Sequence, residues 1–268
     1  MSRLDVSVVV PAFNEGKTLP GVLAALEWGL APLRSRYATE LLVVDDGSSD
    51  ETAAILQTFS HAAKERERVI THPVNRGLTE AMKTGARAAR GDVTVFLDAD
   101  LSYAPEIVER LVDALKSHGA AASLASPYMR GGRAANVPRE RLIASRVANL
   151  LLAACVGFRL HTFTGMVRAY DTPTLKALVE RPVRGEFNAW AVAELLAWGK
   201  PVVEIPAALV WPQGRTQAPS RMSAATLGSR TRLVIQTIGV LRAAARSGPN
   251  GRSRTNGTKV PSNGSPRL

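Results

Sequence analysis

Two carboxylates one residue apart, Asp98 and Asp100, follow directly on the apolar and β-branched run 93–97. Residues two apart on an extended backbone project to the same side, so both carboxylates can open into one pocket. Such a pair suits a hard divalent cation, Mg²⁺ or Mn²⁺. It also suits a polar strand end in which Asp100 serves as a cap. Two further polar clusters stand in comparable positions. Pro11-Ala12-Phe13-Asn14-Glu15-Gly16 follows the apolar run 6–10, and Asp45-Asp46-Gly47-Ser48-Ser49-Asp50 follows 41–44. In the latter, Asp46 can accept hydrogen bonds from a ligand or close an Asx turn before Gly47. Ser49 or Asp50 is placed to cap the next helix.

The elements that must hold these clusters follow from periodicity. A strand over 6–10, ended by Pro11, precedes a helix with Leu19, Val22, Leu23 and Leu26 at helical spacing. Strands over 41–44, 69–72 and 93–97 and a helix over 79–90 follow. Pro105 then lies near the start of a helix carrying Ile107, Val108, Leu111, Val112 and Leu115. Strand–helix alternation through 6–115 predicts an α/β fold whose parallel strands are joined by right-handed crossovers. Ligands bind such sheets at the carboxyl edge, where all three clusters fall. Neither G-x-G-x-x-G nor a Walker A sequence is present, so a dinucleotide fold and a P-loop are not supported.

Further along, 123–135 begins as a strand and ends as a flexible basic loop. A helix over 138–156 has an apolar second half that is either core or interfacial. Residues 162–170 read as strand and turn, 186–198 as a helix stopped by Gly199, and 202–205 as a short strand. Glu194 is either a base or a helix-face acid. Helical character returns over 227–245, while 247–268, rich in Ser, Gly, Pro and Asn, is expected to be disordered.

Composition narrows the classes. With one cysteine, Cys155, and four His, a disulfide scaffold is excluded and no zinc-ligand pattern appears. No signal-peptide pattern is read at the N-terminus, so a reduced, cytoplasmic setting is expected. The net charge of +11 is uneven: residues 205–268 hold ten Arg or Lys and no acid. That asymmetry favours an anionic partner, whether phospholipid, phosphorylated substrate or nucleic acid. The aromatics are few and do not interleave with the Arg residues, which argues against nucleic acid.

In this order and spacing the motifs resemble the inverting family 2 glycosyltransferases, and within them the polyprenyl-phosphate (dolichyl-phosphate) mannose synthases. The carriers are Val10-Pro11-Ala12-Phe13-Asn14-Glu15, Val43-Val44-Asp45-Asp46-Gly47-Ser48-Ser49-Asp50, Asn75-Arg76-Gly77 with the helix of Gly85, and Asp98-Ala99-Asp100 followed by Pro105-Glu106. The resemblance covers roughly residues 5–225. It implies a GT-A, Rossmann-like nucleotide-sugar-binding fold with a mostly parallel central sheet flanked by helices. It also implies a catalytic domain over 1–225; the residues beyond it read, from their own charge and periodicity, as a basic amphipathic segment, 226–246, and the basic tail 247–268.

By the same resemblance, Pro11, Phe13, Glu15, Val44 and Asp46 would bind base and ribose, with Ala99 in the donor site. Asp98 and Asp100 would bind the cation bridging the donor diphosphate, Mg²⁺ or Mn²⁺. Arg215 and Arg221 match a basic loop closing over the donor phosphates, and a solvated linker is the alternative for them. Arg141 and Ser145, one helical turn apart, match the pair that holds the acceptor phosphate, with an exposed helix start as the alternative. Mannose from GDP-mannose is the favoured donor.

Two positions depart from the pattern: Pro127 stands where relatives have Arg, and Ser102 where mannose synthases have a metal-binding Gln. A phosphate acceptor needs no general base, and Leu160-His161-Thr162 lacks the acid that relatives often carry there. No apolar run approaches the roughly twenty residues of a membrane span. A lipid acceptor therefore implies peripheral binding to an anionic membrane surface at its cytoplasmic face, by the basic segment and tail or through a membrane-anchor protein. Transfer to a sugar or other hydroxyl is the alternative enzyme activity, and a basic nucleotide- or nucleic-acid-binding protein is the alternative from another class.

Overall fold

A computed structural model of the chain describes residues 3–62, 66–156, 160–183, 186–211 and 238–239. Its strands are β1 (Val6–Ala12), β2 (Thr39–Asp45), β3 (Glu67–Thr71), β4 (Val93–Phe96), β5 (Ala122–Ser126), β6 (Arg133–Ala135), β7 (Arg168–Asp171), β8 (Val202–Pro206) and β9 (Ala208–Val210). Its helices are α1 (Leu19–Gly29), α2 (Ala31–Arg36), α3 (Thr52–Ala62), α4 (Leu78–Ala88), α5 (Ile107–Ser117), α6 (Arg139–Val156), α7 (Thr172–Val179) and α8 (Phe187–Ala197).

Seven strands form one sheet in the order β3-β2-β1-β4-β7-β5-β8, and β6 pairs with β9 in a separate ribbon. β1 runs parallel to β2 and β4, and β2 to β3, as the alternation over 6–115 predicts. β7 lies antiparallel between β4 and β5, and β8 is parallel to β5. The fold is thus mixed α/β with a mostly parallel central sheet.

Pleating divides the core. Val6, Val8 and Val10 of β1 join Leu19, Val22 and Leu26 of α1 and Leu111 and Val112 of α5 on one face. Val9 joins Ala81, Met82 and Ala86 of α4 on the other, with Leu175 of α7 and Trp190 of α8 in the same layer. The approach of α4 is close enough to depend on Gly85: a Cβ there would lie 2.3 Å from Val9 Cγ1. Gly85→Ala is therefore expected to destabilise the fold by about 1–3 kcal/mol through overpacking, read as a lower midpoint in thermal unfolding.

Several expectations need correction. Pro11 does not end β1, which continues to Ala12. β4 ladders β1 only through the Val9↔Phe96 register, so beyond Val9 the β4 side of β1, which the nitrogen of Pro11 faces, has no ladder partner and a residue without N–H is tolerated there. Residues 123–135 do not end as a loop, because Arg133–Ala135 ladders with Ala208–Val210. The strand within 162–170 begins only at Arg168 and runs to Asp171. Helices α2 and α7 were not anticipated; α7 is capped by Asp171, whose carboxylate accepts from Thr174 N, with a Pro in its first turn. Arg215, Arg221, the tail 247–268 and all of 226–246 except 238–239 lie outside the described residues.

Glu186 caps α8, accepting from the backbone N–H of Asn188 and Ala189. Burial pushes its carboxyl above the ordinary 4.5, against the pull of those N–H groups and of Arg168. With the folded value above the unfolded one, the folded state holds the proton longer, so stability falls as pH rises from 4.5 through the folded value. Denaturant unfolding of wild type and Glu186→Gln across that range should show the wild type's relative stability declining with rising pH.

Candidate active site

The carboxyl edge of the parallel strands is built by three turns clasped to one another. The turn after β1 docks on the turn after β2: Asn14 N donates to Ser48 Oγ at 3.0 Å, Glu15 N to Thr52 Oγ1 at 2.8 Å and Gly16 N to Asp50 Oδ2 at 3.0 Å. Asn14 Oδ1 accepts from Ser49 N at 2.8 Å, and Asn14 itself adopts the left-handed conformation. Asp50 also accepts from Thr52 N at the start of α3. Burial raises the Asp50 carboxyl, but hydrogen bonds from Thr52 and Gly16 outweigh it and hold it below the usual range.

Asp46 organises the third side. Buried at the end of β2, its Oδ1 accepts from Arg76 N at 2.9 Å and lies 2.7 Å from His72 Nδ1, while Oδ2 accepts from Gly77 N at 2.7 Å. His72 Nε2 lies 2.9 Å from Thr84 Oγ1. Asp46 thereby fixes the loop leading into α4 and joins the wall of the site.

After β4, Leu97 N still donates to Val9 O, and the chain then turns sharply. Leu101 N donates to Asp98 O, Ser102 N donates to Asp100 Oδ1 at 2.9 Å, and Leu101 sits at φ 51°. A left-handed leucine costs about 1–2 kcal/mol, strain of the kind that surrounding packing sustains at functional sites. Ser102 is buried, and its carbonyl accepts from Val210 N at 2.8 Å, tying the turn to β9. Buried Tyr103 adjoins it, its hydroxyl pushed up by burial first and by the charge of Asp98 second.

These turns enclose a cavity of about 290 Å³ lined by Pro11, Ala12, Phe13, Glu15, Asp46, Asn75, Gly77, Leu78, Ala81, Asp98, Ala99, Asp100 and Met166. It brings together Pro11, Phe13, Glu15, Asp46, Asp98, Ala99 and Asp100 of the candidates named from sequence. Val44 is not in its lining; it is fully buried in the sheet beneath α4. Arg141 and Ser145 are not in the lining either. On α6, Ser145 Oγ accepts from Tyr128 OH at 2.8 Å, and the Arg141 guanidinium lies 4.9 Å from the Trp211 ring centre. Glu194 forms an ion pair with Arg181.

Sequence reasoning missed His72, which only the fold brings to Asp46, and the apolar wall of Leu78, Ala81 and Met166. Met166 is held indirectly. Arg168, wholly buried, donates to the carbonyls of Phe163, Gly165 and Asn188. Glu204 accepts from His161 N and Thr162 N, and Asn149 Oδ1 accepts from Phe163 N.

Among the described residues no three His, Cys, Asp or Glu side chains gather into a ready-made metal cage. Asp98 and Asp100 fit a different arrangement: two carboxylates on one open cavity suit a divalent cation that completes its shell with phosphate oxygens and water.

Residues 7–178 match the family described as Glycosyl transferase family 2. The chain belongs to glycosyl transferase family 2. It is 32% identical over 207 residues to the polyprenol monophosphomannose synthase of Mycolicibacterium smegmatis, covering 74% of this chain and 75% of that protein. It is 34% identical over 145 residues to the dolichol-phosphate mannosyltransferase of Pyrococcus furiosus, covering 54% of this chain but only 39% of that protein. Among solved structures, a mannosyltransferase of Pyrobaculum calidifontis, in complex with GDP-Man and Mn²⁺, superposes with a TM-score of 0.62 at 20% identity, covering 91% of this chain and 70% of the other. That likeness concerns the GT-A fold.

Proposed function

We propose that this chain is an inverting, divalent-metal-dependent glycosyltransferase that moves a sugar, mannose favoured, from a nucleoside diphosphate sugar to a polyprenyl phosphate. The observation carrying this reading is one cavity whose lining holds Phe13 and Glu15 together with Asp98 and Asp100. A nucleoside would rest on Pro11 and Phe13, with Glu15 accepting from its hydroxyl or N–H groups. Asp98 and Asp100 would hold Mg²⁺ or Mn²⁺, which when bound neutralises charge on the departing diphosphate. GDP-mannose is favoured by the mannosyl transfer named for both relatives and by the GDP-Man complex of the structural neighbour.

The acceptor follows from proton accounting. A phosphate monoester is already anionic near neutral pH, so its oxygen can attack the anomeric carbon opposite the leaving diphosphate without a base. Arg141 and Ser145 are the proposed contacts to the acceptor phosphate, and Arg215 and Arg221 those to the donor phosphates. No helix among the described residues is long and apolar enough to cross a membrane. Peripheral attachment at the cytoplasmic face, directly or through an anchor protein, completes the proposal.

Titration calorimetry with GDP-mannose and UDP-glucose, each with and without Mn²⁺, tests the donor half. One nucleotide sugar is expected to bind with strong dependence on the cation. Absence of binding for both would overturn the reading.

A further inference from the structure

The hydroxyl of Ser145 on α6 is surrounded by groups that donate to it. Tyr128 OH donates to Ser145 Oγ at 2.8 Å. The turn that presents Tyr128 is tightly closed: Gly132 N donates to Met129 O, and a Cβ on Gly132 would lie 2.4 Å from Ser126 O. Asn149, buried one helical turn beyond Ser145, supplies a second donor. Its orientation follows from its other contact. Phe163 N lies 2.6 Å from the Asn149 amide, and a backbone N–H can only donate, so the amide oxygen faces Phe163 and the amide nitrogen faces Ser145. Nδ2 then donates to Ser145 O at 2.8 Å and reaches Ser145 Oγ at 3.4 Å. A hydroxyl offers two lone pairs and one hydrogen. With two donors directed at its oxygen, Ser145 is left with its hydrogen to give.

We infer that Tyr128 and Asn149 are positioning residues for the acceptor phosphate, holding Ser145 as a one-way hydrogen-bond donor beside the Arg141 guanidinium. A phosphate fits such a pair because its oxygens accept from hydroxyl and guanidinium alike. Arg141 stands one turn before Ser145, on the same face of α6. Its guanidinium lies 4.9 Å from the ring centre of Trp211, whose own N–H donates to Ala135 O at the end of β6. Hydroxyl and charge are thus both seated before a ligand arrives.

This rests on the polyprenyl phosphate acceptor proposed above and deepens it. The two positioning residues differ in reach. Tyr128 touches the acceptor pair alone. Asn149 also anchors Phe163, in the segment that Arg168 clamps through the carbonyls of Phe163 and Gly165 and that delivers Met166 to the donor cavity. One amide therefore joins the acceptor pair to a wall of the donor site.

The test is titration calorimetry of the full chain with short-chain polyprenyl phosphate in detergent, with the parent polyprenol as control. Wild type should bind the phosphate and not the alcohol. Ser145→Ala should weaken binding about tenfold or more, the scale of a hydrogen bond to a charged group. Tyr128→Phe keeps the ring that the Arg146 guanidinium faces and should weaken binding about threefold to tenfold, with little change in thermal midpoint. In the Ser145→Ala background the same change should have no further effect, because the hydroxyl it orients is gone. A purely structural tyrosine would instead add its loss to that of Ser145→Ala. Asn149→Ala should weaken both polyprenyl phosphate and whichever of GDP-mannose and UDP-glucose wild type binds; should it not fold, the Tyr128 arm decides alone. Tyr128→Phe binding like wild type while Ser145→Ala is impaired, or additive losses in the double variant, overturns the inference and leaves the acceptor reading standing. Wild type that binds no polyprenyl phosphate or binds the alcohol equally, or Ser145→Ala that binds like wild type, removes the acceptor contact itself and the inference with it.

Discussion

Asp98→Ala and Asp100→Ala should each lower sugar transfer by about a hundredfold to a thousandfold, the scale of removing one preorganised electrostatic contact to a developing charge. Folding should survive both changes. The backbone of the turn keeps its bond from Leu101 N to Asp98 O, and Asp100 is half-buried at the cavity edge rather than in the core. Asp100→Ala does remove the acceptor for Ser102 N, a change worth about 1 kcal/mol of stability, so its thermal midpoint should drop by only a few degrees. Asp98→Asn and Asp100→Asn sharpen the test. They retain size and hydrogen-bonding capacity but remove charge, and should raise the Mn²⁺ concentration needed for half-maximal transfer. Variants that retain wild-type activity and metal response would remove these carboxylates from the site.

Gly47→Ala should be the most damaging change outside the Asp98–Asp100 turn. Gly47 sits at φ +70°, and a Cβ there would lie 2.4 Å from Val74 C and 2.6 Å from Asn75 N. The obstacle is backbone, so no side chain can swing aside, and the left-handed conformation adds about 1–2 kcal/mol. Relief requires the 74–77 segment to move, yet Asp46 holds that segment through the N–H groups of Arg76 and Gly77. Since Asn75 and Gly77 line the cavity, stability and donor binding should fail together. We expect a loss of about 3 kcal/mol or more, with a midpoint lowered by roughly 6–12 °C and weaker nucleotide-sugar affinity by calorimetry. An alanine variant of wild-type stability and affinity would contradict this account of the clasp.

Much of the site was legible because its chemistry is local in sequence. Each of the first, second and fourth strands delivers its polar cluster at its own carboxyl end, so Glu15, Asp46, Asp98 and Asp100 could be placed on one edge once parallel pairing was inferred. What was not legible depends on contacts distant in the chain. His72 meets Asp46 across 26 residues, and nothing in a lone histidine after a strand announces that. Met166 reaches the cavity because β7 inserts antiparallel between β4 and β5, a topology that periodicity does not encode. The pairing of β6 with β9 joins segments some 75 residues apart in sequence, and so a basic stretch that reads as a loop becomes a strand. Arg168 shows the same limit, since a buried guanidinium clamping backbone carbonyls looks in sequence like any arginine in a strand. Helix α7 is different: Asp171-Thr172-Pro173-Thr174 is an N-cap followed by proline in the first turn, a signal available from the residues alone.

The measurement that tests the central claim most directly is transfer of label from radiolabelled GDP-mannose to added short-chain polyprenyl phosphate, with Mn²⁺ and again with excess EDTA. The account predicts label in the lipid fraction that depends on both cation and acceptor and is lost in Asp100→Ala. Donor hydrolysis with no label in the lipid, or lipid labelling undiminished by EDTA, would contradict it.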